Sequence, residues 1–311
     1  MFENIPQNSL LALFSMLYLI VVGSVGRSII QKKNPDKDYT DLKQRIHSWW
    51  WIVGVLFIAL IMDKNYAIIV LAIFSFIALK EFLSILPGGQ VDRSVAFWAY
   101  LSIPVQYYFI SIQAYDLFVV FIPIYIFLFL PIRMIFAGNS KDFIKSAGTM
   151  HWGVVLTVFS ISHIAYLLVL PEKNLAAGNI GLVIFLLFMT QFNEVSQYVL
   201  SKMFGKHKIF PNFNSNKTWE GVLGGMILIV SVATIIGPLL TPLTRELSFF
   251  SGFLISFFGL IGGVVVSSIK RDLDTNASAS VTPVRSGILD RFHGLVFTSP
   301  LFFHYLYVVA Y

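Results

Sequence analysis

Apolar residues fill this chain in long continuous runs, broken at intervals by short polar segments. The runs do not alternate with period two, as half-buried strands would. They persist for about 20 residues, the length a helix needs to cross the hydrocarbon core of a bilayer. Ten such runs can be laid out, at roughly 8–26, 48–62, 66–84, 94–112, 115–135, 150–170, 178–200, 221–241, 248–269 and 294–311. Only helices and closed barrels satisfy their own backbone in lipid, and unbroken apolar runs point to helices. The predicted fold class is therefore all-α: a polytopic integral membrane helical bundle with about ten transmembrane helices. The thinnest break lies at Ser111–Asp116, and the second run is short unless Trp49, Trp50 and Trp51 sit at headgroup level. The first run lacks a basic leader and a small-residue cleavage site, so it reads as a retained helix.

Charge changes the picture by giving the bundle a direction. Arg27, Lys32, Lys33, Lys37, Lys43 and Arg45 fall in the first loop, Lys80 and Arg93 in the third, and Arg133, Lys141 and Lys145 in the fifth. The seventh holds Lys202, Lys206, Lys208 and Lys217, and the ninth Lys270, Arg271, Arg285 and Arg291. Of the 22 Lys and Arg residues, all but Lys64, Lys173 and Arg245 lie in odd-numbered loops. The positive-inside rule then places the odd loops in the cytoplasm and both termini outside, and it supports the count of ten, because losing one span would scramble the bias. In the first loop the basic residues read as an orientation signal at an anionic leaflet. Nothing in the pattern suggests nucleic acid as a partner.

Composition agrees. Hydrophobic types make up 57% of the 311 residues and charged types 12%, about half the share of a soluble domain, with mean hydropathy +0.77. There is no cysteine, which excludes disulfides and thiolate chemistry.

Two regions carry polar groups that lipid does not tolerate. The first starts inside the seventh run, where Thr190, Gln191, Glu194, Gln197, Tyr198 and Ser201 recur at helical spacing on one face. A carboxylate at mid-bilayer costs about 2.5–3.5 kcal/mol on insertion scales, so Glu194 must face a cavity or a partner, unless it sits at the helix end and reaches water. The stretch NSNKTWEGVLGG follows, with Lys206 and Lys208 just before it. It reads as a loop and a helix start, with Ser215, Asn216, Lys217 and Thr218 at the entry and Glu220 in or near the first turn. Lysines beside a helix N-terminus suit phosphate. A capping box through Glu220, with Gly221, Gly224 and Gly225 easing helix packing, is the structural alternative, and both can hold.

The second region is SSIKRDLDTNASASVTPVRSGILDRFHG. Ser267, Lys270, Arg271 and Asp274 share one helix face emerging from lipid. Asp272, Asp274 and Asp290 could hold Mg²⁺, which prefers carboxylates together with substrate phosphates and water. Lys270, Arg271 and Arg291 could clamp phosphates, or simply snorkel at the boundary. His151 and His163 make no metal pattern and fit helix packing. His207, His293 and His304 are scattered in sequence.

These two stretches resemble the signatures of phosphatidate cytidylyltransferases, the CDP-diacylglycerol synthases. FGKHKIFPNFNSNKTWEGVLGG is similar to that family's central motif, which reads close to FGKHK…SPKKTWEG. The second stretch is similar to its C-terminal signature, with KR, a KD pair, PGHGG and LDR in order, and the spacing from Lys270-Arg271 to Leu289-Asp290-Arg291 matches without a gap. The likeness is strongest over 179–311. One membrane domain is expected, with little motif content in 1–178.

The resemblance implies that CTP condenses with phosphatidate to give CDP-diacylglycerol and pyrophosphate, with Mg²⁺ as cofactor. It implies Lys217, Glu194, Asp290 and Lys270 as catalytic residues, with Asp290, Glu194 and Asp274 toward the metal. Substrate would be bound by Lys206, Lys208, Ser215, Asn216, Thr218, Glu220, Arg271 and Arg291. The expected setting is the cell inner membrane with the active face cytoplasmic. The expected partners are CTP, phosphatidate, the bilayer and, as one option, a second copy in a homodimer. The chain also departs from the family pattern. The KD pair aligns with Asn276-Ala277, HGG with Arg285-Ser286-Gly287, and the aspartate after LDR with His293, while Asn216 stands for a usual Pro or Lys. Asp272 or Asp274 would have to substitute for the missing carboxylate. A non-catalytic paralogue that binds lipid or a partner is the alternative expectation. A transporter is a weaker one, since its polar residues would spread through both halves of the bundle.

Overall fold

A computed structural model describes residues 5–33, 46, 50, 53–55, 57–60, 63–86, 93–138, 143–210, 214–276, 289 and 292–311. Helix covers the described residues of each predicted run apart from a few at run ends, such as 168–170. The labelled helices are α1 (Gln7–Lys33), α2 (Lys64–Ile85), α3 (Arg93–Ser111), α4 (Tyr115–Phe136), α5 (Phe143–Leu167), α6 (Gly178–Phe204), α7 (Trp219–Leu240), α8 (Arg245–Asn276) and α9 (Leu295–Ala310). The second predicted run lies largely outside the described residues, and its described positions from 53 to 60 are helical.

By length and composition, seven of these helices can cross a membrane among the described residues, against the ten spans expected. Besides the second run, two predicted spans fall outside the seven. α3 is diluted by Arg93, Gln106 and three serines, and α9 is only 16 residues long. α4 and α5 each contain a π-helical stretch, Phe121–Ile126 and Val155–Phe159. In α5 hydroxyls take up carbonyls at that irregularity: Ser160 Oγ donates to Val155 O at 2.9 Å, and Thr157 Oγ1 to Gly153 O at 2.7 Å. A helix in lipid can deviate from regular bonding only where such groups compensate.

α5 and α6 form the buried centre of the bundle, while α1 lies at its margin. α7 packs along α6, and glycines set the approach. A Cβ on Gly221 would sit 1.9 Å from Ser201 Oγ and 2.7 Å from the Ser201 backbone nitrogen, and one on Gly225 2.7 Å from Gln197 Cγ. The close helix packing expected of these glycines is present.

The segment read as a loop before α7 contains a two-stranded antiparallel hairpin, β1 (Lys208–Phe210) and β2 (Asn214–Thr218), so the fold is helical with this one small addition among the described residues. At the opposite end of the bundle the chain termini meet the even-numbered loops. Asn8 N donates to Ala176 O at 3.0 Å, Asn8 Nδ2 to Leu239 O at 2.9 Å, and Asn174 Nδ2 to Thr241 O at 2.9 Å, while Lys173 Nζ donates to Ala310 O. That both termini share one end with Lys173 is the relative sidedness the charge pattern demands.

Candidate active site

The polar face of α6 is real and points into the protein. Asn193 and Gln197 are fully buried, and Glu194 keeps only 14% of its side chain exposed. α6 continues ten residues past Glu194, so the carboxylate does not simply reach water at a helix end. Asn193 and Gln197, one turn apart, stack on the same face. Gln197 Nε2 donates to Asn193 Oδ1 at 3.0 Å, and Ser256 Oγ of α8 donates to the same Oδ1 at 2.8 Å. Asn193 Nδ2 in turn donates to Ser256 O at 3.2 Å. Nearby, Thr190 and Thr298 hydroxyls lie 3.1 Å apart across α6 and α9.

Lys217 completes this chain. It sits at the end of β2, and its Nζ donates to Gln197 Oε1 at 2.7 Å. The ammonium therefore points at the intramembrane face rather than lying along the mouth of α7. That mouth is otherwise occupied. Thr218 has the extended backbone of an N-cap, and its hydroxyl accepts from Gly221 N at 3.3 Å. Glu220 makes no capping box. Its Oε2 accepts from the Lys206 and His207 amides at 3.1 and 3.3 Å, and its Oε1 lies 2.6 Å from His207 Nδ1. With Trp219 N donating to His207 O at 2.9 Å, Glu220 ties the base of the hairpin to α7. Lys206 and Lys208 project into the open from that base.

The C-terminal signature reaches the same place. His293 Nε2 lies 3.4 Å from Glu194 Oε1, and Gly294 makes the approach possible, because a Cβ there would stand 2.2 Å from that oxygen. The contact does not satisfy hydrogen-bond geometry, and Glu194 Oε1 is buried with no hydrogen bond among the described residues. Just before, Leu289 N donates to Glu81 Oε2 of α2 at 3.1 Å. The two polar regions, about 100 residues apart in sequence, thus converge on Glu194.

Of the residues singled out from sequence, Lys217 and Glu194 stand in this cluster, and Thr218 and Glu220 brace it. Arg271 is exposed near the end of α8, with Asp272 beside it. Ser215 and Asn216 lie in β2, and Lys270 and Asp274 in α8, with side chains outside the described residues; Asp290 and Arg291 lie outside them entirely. Sequence reasoning missed Asn193 and Ser256 as partners, His293 as a neighbour of Glu194, and Glu81 altogether. Glu81 did carry a signal, a carboxylate near the end of an apolar run.

No group of three or more His, Asp or Glu residues suited to a metal occurs among the described residues. The fit to Mg²⁺ rests on one observation: a buried carboxylate oxygen at Glu194 lacks a donor, as a ligand oxygen would.

The cytidylyltransferase family profile matches residues 43–309. The chain belongs to that family. It is 36% identical over 307 residues to the uncharacterized protein YnbB of Escherichia coli (strain K12), covering 98% of this chain and 99% of that protein. It is 34% identical over 110 residues to the phosphatidate cytidylyltransferase of Bacillus subtilis (strain 168), covering 35% of this chain and 41% of that enzyme. With the phosphatidate cytidylyltransferase of Staphylococcus aureus (strain COL) it shares 32% identity over 123 residues, 38% of this chain and 46% of that one. The chain thus spans less than half the length of these two named enzymes, while the full-length likeness is to YnbB. A divergent member of the family, as the motifs suggested, fits both findings.

Proposed function

We propose that this membrane cytidylyltransferase condenses CTP with phosphatidate, releasing pyrophosphate and CDP-diacylglycerol at the cytoplasmic leaflet of the inner membrane. The observation that carries the reading is the meeting of Lys217, from the central motif, with the α6 polar face on which Glu194 faces His293 of the C-terminal signature.

In this reaction a phosphate oxygen of phosphatidate attacks the α-phosphorus of CTP. The new P–O bond forms as the bond from the α-phosphorus to the α,β-bridging oxygen breaks, and its electron pair leaves with pyrophosphate. Nucleophile and leaving group are both anionic, so the protein's task is positioning and charge neutralisation. The Lys217 ammonium supplies a fixed positive charge, held at the inner end of the hairpin by Gln197. Lys206 and Lys208, held outward by the Glu220 brace, attract the triphosphate. Glu220 itself would repel phosphate, so its service is to hold the lysine-bearing backbone. Mg²⁺, when bound, would shield phosphate charge and be held by Glu194, with Asp290 and Asp274 as the further carboxylates in the signature. The lipid headgroup would enter laterally between helices.

The test is purified protein in nanodiscs with labelled CTP, phosphatidate and Mg²⁺, reading CDP-diacylglycerol and pyrophosphate in equal amounts. Turnover no higher than that of a Lys217→Ala control rejects the reaction. The departures at Asn276, Ala277 and Arg285 favour a second reading, a non-catalytic family member that binds lipid or a partner. Combining Asn276→Lys, Ala277→Asp and Arg285→His separates the two. Activity that appears only in the combined variant favours the second.

A further inference from the structure

Glu81 has no place in either motif, yet its environment is unusual for a residue so near the end of an apolar helix. Lys80, its neighbour, is exposed, as a snorkelling side chain would be. Glu81 instead turns inward and accepts the amide of Leu289, a residue 208 positions away, at 3.1 Å. Placing a carboxylate against a packed interface is costly, and such groups are kept where they hold something.

What α2 holds is the entry to the C-terminal signature. Phe74, two helical turns before Glu81 and on the same face, meets Phe292 edge-to-face with ring centres 5.8 Å apart. Phe82 and Ile85 of α2 pack with Leu289 and Val296 in one buried cluster. Leu289 and Phe292 are each 1% exposed. Leu289 and Phe292 are therefore fixed against α2, through a charged hydrogen bond and two buried side chains. His293, next to Phe292, stands 3.4 Å from Glu194 Oε1. Leu289 is a helical residue, and its backbone N–H donates to the carboxylate, a charge-assisted bond that anchors the backbone at this point.

We propose that Glu81 is a positioning residue: by fixing the Leu289 backbone it sets where the signature presents His293 to Glu194. The inference rests on the cytidylyltransferase reading above. It assigns a role in the reaction to a helix of the N-terminal half, which the motifs leave empty.

In-line phosphoryl displacement tolerates little misplacement, and a shift of about 1 Å can cost on the order of 100-fold in rate. Glu81→Ala is expected to lower kcat by about 10- to 100-fold while the KM for CTP stays within about threefold. Glu81→Gln keeps a carbonyl oxygen for the Leu289 amide and is expected to recover most of that loss. Hydrogen exchange on the peptide containing Leu289 provides an arm that needs no turnover. Glu81→Ala should speed exchange at that amide and Glu81→Gln should leave it slow. A Glu81→Ala protein with lower thermal stability but full kcat when folded overturns the proposal, as does unchanged exchange at Leu289. Absence of turnover in the wild-type chain rejects the reaction and not the tether. Exchange then decides alone: protection lost in Glu81→Ala supports the tether, and protection kept overturns it.

Discussion

The two ends of this bundle both bury polar side chains, and they use them in opposite ways. At the end shared by the termini, amide side chains donate to carbonyls at helix ends and in loops. Asn179 donates to Leu168 O and Leu170 O, Asn174 to Thr241 O, and Asn8 to Leu239 O. These bonds close backbone valences where helices stop. At the other end, beside bonds to backbone, side chains also bond to one another. Lys217, Gln197, Asn193 and Ser256 form one chain across a hairpin and two helices, and Glu194 beside it keeps an oxygen without a donor. Polar groups spent on the backbone hold a fold. Polar groups that orient a cation and leave an acceptor open have capacity for a ligand.

Substitutions at the two ends should therefore fail differently. The largest effect is expected at Lys217. Lys217→Ala should lower turnover by about 10²–10³-fold, in the range seen when one preorganised electrostatic donor is lost, with little change in melting temperature. A comparable loss of stability instead would make Lys217 another structural contact. Gly221→Ala comes next. Its methyl would press on Ser201 backbone as well as side chain, so α6 and α7 must part, at a cost of about 1–3 kcal/mol read as a lower melting temperature. Asn179→Ala should destabilise by about 1–2 kcal/mol by stripping two carbonyls of their donor, while turnover per folded molecule is retained. Reduced turnover in folded Asn179→Ala protein would erase the contrast between the ends. Thr218→Ala is the smallest, about 1 kcal/mol for the lost cap, measured in the same melts.

Much of the site was legible before any fold was known, and its gaps have a common cause. Lys217 and Glu194 stood out because a charge beside or within an apolar run needs a reason. Thr218 and Glu220 were visible as helix-start residues, though not that Glu220 would bind the Lys206–His207 amides instead of boxing its own helix. Asn193, Ser256 and Glu81 gave weaker signals, because a polar side chain in a helix does not announce its partner. His293 looked isolated, since the carboxylate it faces lies 99 positions earlier on another helix. The hairpin was also missed, as three- and five-residue strands carry too little periodicity to read.

The sequence by itself determined that the chain forms apolar helices, and its charges set the expectation of which loops share a side. In lipid each helix must satisfy its backbone within its own segment, and loop charge is a local count, so both are written locally. Only the tertiary structure decided that Lys217 turns inward to Gln197, that His293 meets Glu194, and that Glu81 takes the Leu289 amide. Those pairings are set by how close the helices approach, which depends on glycines and side-chain volumes on several segments at once.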